Sequence, residues 1–375
     1  MIRYYELGKD RKLNEIVMAG SHDAGITEGG SNVQTQSLDI KGQAAAGVRL
    51  FDLRIAAAGL SSKHGSAKEA QLRAFHADSK LMKNETKSRY VQDLGRTETI
   101  TRTKLRGGTF GAGLTDMLDQ ARSFVRDHPT EFLIYKFDKC TNWELIAECC
   151  AGVLGDTIYK GSSNLNTTTL KRLAGSVVCV FTDTGLAAIP SKYRTGGGIL
   201  GIRNLYSGGA YDDGYWGLQY FGKGGTSVMK PFAKLSQNEK KQSKLMARGA
   251  ATDPDVMGMM YWTTTGVMES IHDRNEGMWS SKGVGKLRTM WENGLAESIE
   301  LRIANNIDPT SYASAPVLKT FMPNFVMIDF ADDYKCSEIY DLNRVAATEL
   351  TYAARMLDLD VKRAQDQCAQ LQKRV

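Results

Sequence analysis

The sequence predicts an α/β fold: a single (β/α)8 barrel over residues 1–375, with long loops on its C-terminal rim and a long C-terminal helix. Three observations carry this expectation. Eight short apolar runs have the length of strands, amphipathic stretches separate several of them, and 375 residues suit a barrel built as one unit.

The strand candidates run, in order, Glu15 to Ala19, Val48 to Ile55, Leu72 to His76, Glu131 to Phe137, Ser176 to Phe181, Gly198 to Tyr206, Val256 to Trp262 and Phe325 to Phe330. Each is five to nine residues long. Helical patterns cover Thr115 to Asp127, Asn142 to Leu154, Lys234 to Arg248 and Leu287 to Asn305, and a last one runs from Glu338 to Val375. Two stretches break the alternation. Ser79 to Phe110 is polar, rich in Lys, Arg and Thr, and has few apolar anchors, so it is expected to be a long functional or mobile connection. Gly196 to Gly225 is glycine-rich, carries several tyrosines and also looks like a loop.

Composition removes several function classes. Hydrophobic residues make up 42% and charged residues 24%, which is globular. No run of about 18 apolar residues offers a membrane span. The charge balance is 48 basic against 42 acidic residues, a mild surplus of +6 that suits an anionic membrane surface or a phosphorylated substrate. The basic residues are spread out and are not interleaved with aromatics, so nucleic acid is not an expected partner; no protein partner is implied either. The six cysteines form no CxxC pair, which leaves no zinc or thioredoxin motif. MIRYYELGKDRKLNE has no signal-peptide core, so the expectation is a cytoplasmic protein or one exported without a leader, acting peripherally at membranes.

With only five histidines, chemistry near neutral pH has few candidates. His22 follows the first strand in Ala19-Gly20-Ser21-His22-Asp23-Ala24-Gly25, among small residues that let a substrate approach; it caps a turn or it catalyses. In Val48 to Ile55, alternation puts Val48, Leu50, Asp52 and Arg54 on one face and Phe51, Leu53 and Ile55 on the other. A carboxylate and a guanidinium then point inward at the strand end, as an ion pair or as a phosphate clamp. In the last strand Asp329 shares a face with Phe325 and Met327, and a histidine across the closing seam would partner it.

These residues resemble a family. Leu13 to Ile55, with Gly20-Ser21-His22-Asp23-Ala24-Gly25, Thr35-Gln36-Ser37-Leu38 and Phe51-Asp52-Leu53-Arg54, is similar to the catalytic domain of phosphatidylinositol-specific phospholipase C. Leu118 to Phe137, with Phe124, His128-Pro129-Thr130-Glu131 and Phe132-Leu133-Ile134, resembles its next helix and strand, and Asn324 to Asp329 its final strand. From Thr141 to Pro316 only the pattern is similar.

The resemblance implies the metal-independent bacterial type, with no cofactor and a phospholipid substrate at a membrane surface. His22 would be the general base on the inositol 2-hydroxyl, which attacks phosphorus to give inositol 1,2-cyclic phosphate and diacylglycerol. His76 would be the general acid, Arg54 would hold the phosphate charge, Asp329 would orient His22, and Asp23 and Asp52 would support the site. Eukaryotic relatives bind calcium where Arg54 stands, so no metal is implied. Lys136 and Asp138, sharing a face with Phe132 and Ile134, are headgroup candidates, although the family's lysine is replaced by Asp138 here. Asp183, Asp213 and Tyr215 are further candidates, or solvated loop residues.

His64, in Lys63-His64-Gly65, competes with His76 as the acid; the strand pattern of Leu72 to His76 favours His76. Two other functions compete: a metal-dependent glycerophosphodiester phosphodiesterase or sphingomyelinase D-like barrel, and a barrel that binds phosphoinositides without turnover.

Overall fold

The computed structural model describes residues 1–58, 71–92, 95–194, 196–225, 255–264, 270–277, 279–280 and 323–343, and parts of 237–245. His64, the helix expected over Leu287 to Asn305, much of the one expected over Lys234 to Arg248 and most of the one expected from Glu338 to Val375 lie outside them. The strands are β1 (Met18–Ser21), β2 (Val48–Leu53), β3 (Ile55–Ala58), β4 (Leu72–His76), β5 (Met82–Val91), β6 (Arg96–Leu105), β7 (Thr109–Gly113), β8 (Leu133–Phe137), β9 (Val177–Thr182), β10 (Ile199–Asn204), β11 (Gly217–Lys223), β12 (Met257–Tyr261) and β13 (Pro323–Ile328).

Eight of these close into a parallel barrel in the order β1-β13-β12-β11-β10-β9-β8-β2, which is the predicted architecture. Its interior is filled by inward residues such as Leu50, Ile134, Val180, Ile202, Leu218, Met259, Phe325 and Met327. The outward set, including Phe51, Leu53, Tyr135, Phe137 and Phe181, packs under helices α1 (Leu114–Asp127) and α2 (Trp143–Leu154). In α1 the buried residues Leu114, Met117, Leu118, Ala121, Phe124 and Val125 recur at helical spacing, so one stripe meets the barrel.

Four expectations are corrected. Leu72 to His76 is a strand, but not of the barrel: it is β4 of a second sheet, ordered β5-β6-β3-β4-β7. The missing barrel strand is β11, hidden in the glycine-rich stretch expected to be a loop. Ser79 to Phe110 is not a structureless connection either, because it forms the ten-pair antiparallel hairpin β5–β6 and the start of β7. Finally, Val48 does not face inward with Leu50. The β1–β2 register skips Arg49, pairing Ala19 with Val48 and Gly20 with Leu50, so the alternation breaks there and Val48 joins the outer core.

Arg49 itself is fully buried. Its Nε and Nη2 donate to Glu131 Oε2 at 3.0 and 2.8 Å, and its remaining donors reach the Ala44, Val48 and Ile2 carbonyls. A buried charge is tolerable only when satisfied this completely. The second sheet grows from the barrel mouth, since β3 follows β2 after the single residue Arg54. It rests on the loop after β1: Ala112 N donates to Gly25 O at 2.8 Å, and a Cβ on Gly111 would stand 2.1 Å from that oxygen.

Candidate active site

Barrel closure sets the position of His22. Its backbone N–H donates to Ile328 O at 3.0 Å, and the next residue on β13's path is Asp329. His22 Nδ1 lies 2.9 Å from Asp329 Oδ1, so the buried carboxylate accepts from Nδ1 and leaves Nε2 to face the mouth. Asn275 Nδ2 donates to the other oxygen, Oδ2, at 3.2 Å. Gln36 ties the two rims together: Nε2 donates to His22 O and Ile328 O at 3.0 and 3.2 Å, and Oε1 accepts from Ala331 N at 3.0 Å.

The residue after each member of this pair is left-handed, Asp23 at φ 44° and Phe330 at φ 50°. Such conformations cost about 1–3 kcal/mol each and persist only where surroundings impose them. Thr35 imposes both. Its Oγ1 donates to Asp23 O at 2.9 Å, and its carbonyl accepts from Phe330 N at 2.7 Å.

Asp23 is the hub. Arg54 meets it with two donors, Nε at 2.7 Å to Oδ1 and Nη2 to Oδ2. His22 Nε2 lies 3.5 Å from Oδ2, and His76 Nδ1 lies 3.8 Å away. His76 Nδ1 also donates to Val33 O at 3.0 Å. The side chains of His22, Arg54 and His76 are 15, 18 and 19% exposed, whereas Asp23 and Asp329 are 1 and 0% exposed. The groups able to hold or exchange protons with an anion therefore face the opening, and the carboxylates sit behind them.

Charge tunes this cluster. Burial opposes a charged His22, but Asp23 and Asp329 outweigh it and push its pKa up to about 9. Burial also opposes an ionised Asp23, yet Arg54, then His22 and His76, hold its carboxyl well below the usual range. His76 goes the other way: burial lowers it, Asp23 pulls it back, and the charges of Arg54 and His22 leave it below the ordinary histidine value.

Below the histidines lies a polar floor. Lys136 Nζ donates to Asp52 Oδ1 at 2.7 Å, and Tyr261 OH donates to Asp52 Oδ2 at 3.2 Å. The Tyr261 ring meets the His22 ring edge-on at 5.8 Å. Burial disfavours the Lys136 charge, but Asp52 keeps it protonated well beyond its usual range. Asp138 is 3.7 Å from Lys136 Nζ and borders the same floor.

The remaining candidates lie apart. Tyr215 OH donates to Asp183 Oδ1 at 3.5 Å, and this hydroxyl stands 2.1 Å from where Gly201 would carry a Cβ. Leu200 and Ile202 face the barrel interior, so Gly201 and the Tyr215–Asp183 pair are on the outer wall. Asp213 is exposed in a turn before β11. A cleft of about 540 Å³ does open beside Arg54, lined among others by Asp78, Met82, Asn84, Lys139 and Thr141.

Sequence reasoning missed Tyr261 and Asn275, and gave no role to Thr35 and Gln36 although their motif is part of the resemblance. Tyr261 was within reach, since it alternates inward with Met257 and Met259. Asn275 carries no sequence signal, because its partner is 54 residues away.

No family model matches the sequence, and no curated relative matches it. Among solved structures, the chain is similar to the F249X mutant of phosphatidylinositol-specific phospholipase C from Staphylococcus aureus at 16% identity, covering 90% of this chain and 95% of that one, with a TM-score of 0.47. The Listeria monocytogenes enzyme of the same description gives 13% identity, coverage of 89% and 95%, and a TM-score of 0.47. A calcium-dependent phosphoinositol-specific phospholipase C from Pseudomonas sp. gives 12%, 67% and 83%, and 0.38. These are remote likenesses of fold.

Proposed function

We propose that the protein is a metal-independent phosphodiesterase that cleaves phosphatidylinositol, acting peripherally at a membrane. The observation that carries this reading is the convergence of His22, Arg54 and His76 on buried Asp23, with His22 backed by Asp329. In-line displacement at phosphorus needs a base, a cation and an acid around one anion, and these three side chains supply them.

His22 Nε2 takes the proton of the inositol 2-hydroxyl. The oxygen attacks phosphorus, closing a five-membered cyclic phosphate as the bond to the diacylglycerol oxygen breaks. His76 donates a proton to that leaving oxygen. Arg54 spends Nε and one Nη2 donor on Asp23, which fixes its plane and turns its remaining edge to the phosphoryl oxygens. Asp329 steadies the imidazolium that forms on His22, as a carboxylate does in a triad. Asp52, Lys136 and Tyr261 offer hydrogen-bonding groups to the inositol hydroxyls. A cation would have to displace Arg54 from both oxygens of Asp23, so these residues do not fit a metal ligand set. Among the described residues no group of three His, Cys, Asp or Glu side chains converges as metal ligands would.

Phosphorus NMR of phosphatidylinositol incubated with the protein tests the reaction. The expected product is the cyclic phosphate, accumulating before any ring opening. Release of an acyclic monoester with no cyclic species, or no turnover, overturns the reading.

A further inference from the structure

Basic residues are spread along the chain, but their surplus over acidic ones is not. Residues 79–106 hold eight Lys and Arg against three Asp and Glu, so most of the chain's +6 surplus lies in the β5–β6 hairpin and its flanks. We infer that the mouth-side end of this hairpin, built from Lys80, Leu81, Lys83, Lys104 and Arg106, is a docking surface for an anionic bilayer. The inference deepens the reading above, on which it rests for the lipid-borne substrate.

Topology puts this end beside the site. β3 continues β2 out of the barrel mouth, and β6 runs parallel to it, pairing Ala57 with Arg102 and Ala58 with Thr103. Lys104 and Arg106 therefore lie beyond the end of β3, on the side away from the barrel. The hairpin register pairs Lys83 with Lys104. Met82 and Asn84, on the alternate face of β5, line the cleft that Arg54 also lines, so the basic end and the site share one rim.

Chemistry then selects the partner. Lys80, Lys83, Lys104 and Arg106 are exposed, and Leu81 among them is 43% exposed, its carbonyl accepting from Arg106 N at 2.7 Å. Lys83 and Lys104 share the single carboxylate of Glu85, at 3.2 and 3.8 Å, which leaves the patch positive. Basic side chains around an exposed leucine match the headgroup region of an anionic membrane, where the charges meet phosphates and the leucine leaves water. A single-stranded nucleic acid would call for a row of stacking aromatics, and this stretch has Tyr90 alone.

The test is co-sedimentation of the full chain with phosphatidylglycerol–phosphatidylcholine vesicles that contain no phosphatidylinositol, so that binding does not report the catalytic cleft. Each basic residue at such a surface contributes about fivefold in partitioning. The variant Lys80→Gln/Lys83→Gln/Lys104→Gln/Arg106→Gln is expected to lose about a hundredfold or more, and wild-type binding to fall steeply with salt. Lys9→Gln/Lys171→Gln/Arg172→Gln, on another face, is expected to bind as wild type. Equal loss in both variants, no vesicle binding by the wild type, or tighter hairpin-dependent binding to an oligonucleotide than to the vesicles would each overturn the docking surface. Turnover of soluble glycerophosphoinositol separates the two claims. If the hairpin variant keeps it while losing vesicles, docking stands; if no form turns it over yet vesicle binding depends on the hairpin, it is the catalytic reading that fails.

Discussion

The two histidines at the mouth are held in opposite ways. His22 stands where two barrel strands close on each other, with Asp329 and Asn275 behind its ring and Gln36 bracing both backbones. His76 ends a strand of the outer sheet, and among the described residues its ring has one close hydrogen-bond partner, the Val33 carbonyl. Their charge follows this difference, since two carboxylates raise one histidine while burial and two neighbouring cations lower the other. In the mechanism proposed above, the barrel would supply the base, braced by a carboxylate, and the inserted sheet the acid. The contrast predicts unequal penalties.

The largest belongs to His22. His22→Ala is expected to lower kcat/KM on phosphatidylinositol about 10³–10⁴-fold with unchanged far-ultraviolet circular dichroism; near-normal turnover would remove His22 as the base. His76→Ala comes next, with a loss of about 10²–10³-fold on the natural lipid. On an aryl phosphodiester, whose leaving group needs no proton, its loss should stay within a few fold. Should His64→Ala show that selective pattern instead, the acid is His64.

A pH profile on the aryl substrate sharpens the contrast without any substitution. Only the base matters there, and a base must be neutral. As His22 is raised to about 9, kcat/KM should climb with pH, reach half its plateau near that value and level off above it. If His76, lowered below the ordinary histidine value, were the base, the profile would level off at a much lower pH than the one His22 sets. The smallest expected effect is none. EDTA should leave the rate unchanged, because Arg54 holds both oxygens of Asp23; recovery of activity only on adding calcium would contradict this.

The barrel and the His22 half were legible in sequence because their signals are local. Short apolar runs announce buried parallel strands, and alternation places Asp52 and Asp329 at strand ends on the inward face. The outer sheet was not legible as such. Leu72 to His76 alternates as any half-buried strand does, so nothing in it says which sheet it joins. β5 and β6 carry Thr, Ser, Lys and Arg, and are held by main-chain pairing and hydroxyl contacts such as Thr86–Thr101 and Ser88–Thr99, which leave no hydrophobic period. β11 is masked by flanking glycines and tyrosines, and the skipped Arg49 defeats alternation on β2.

Closure of the barrel by β1 and β13 has a consequence in time. His22 and Asp329 are 307 residues apart, so the pair cannot form until nearly the whole barrel has been synthesised. At about 5–20 residues per second, translation takes roughly 15–60 s to cross that interval. Over that period the nascent chain can display His22, Arg54 and His76 but not the carboxylate that orients the first of them. The last of the eight barrel strands to be made is thus the one that arms the site, so the activity proposed for it would stay silent until β13 has been synthesised.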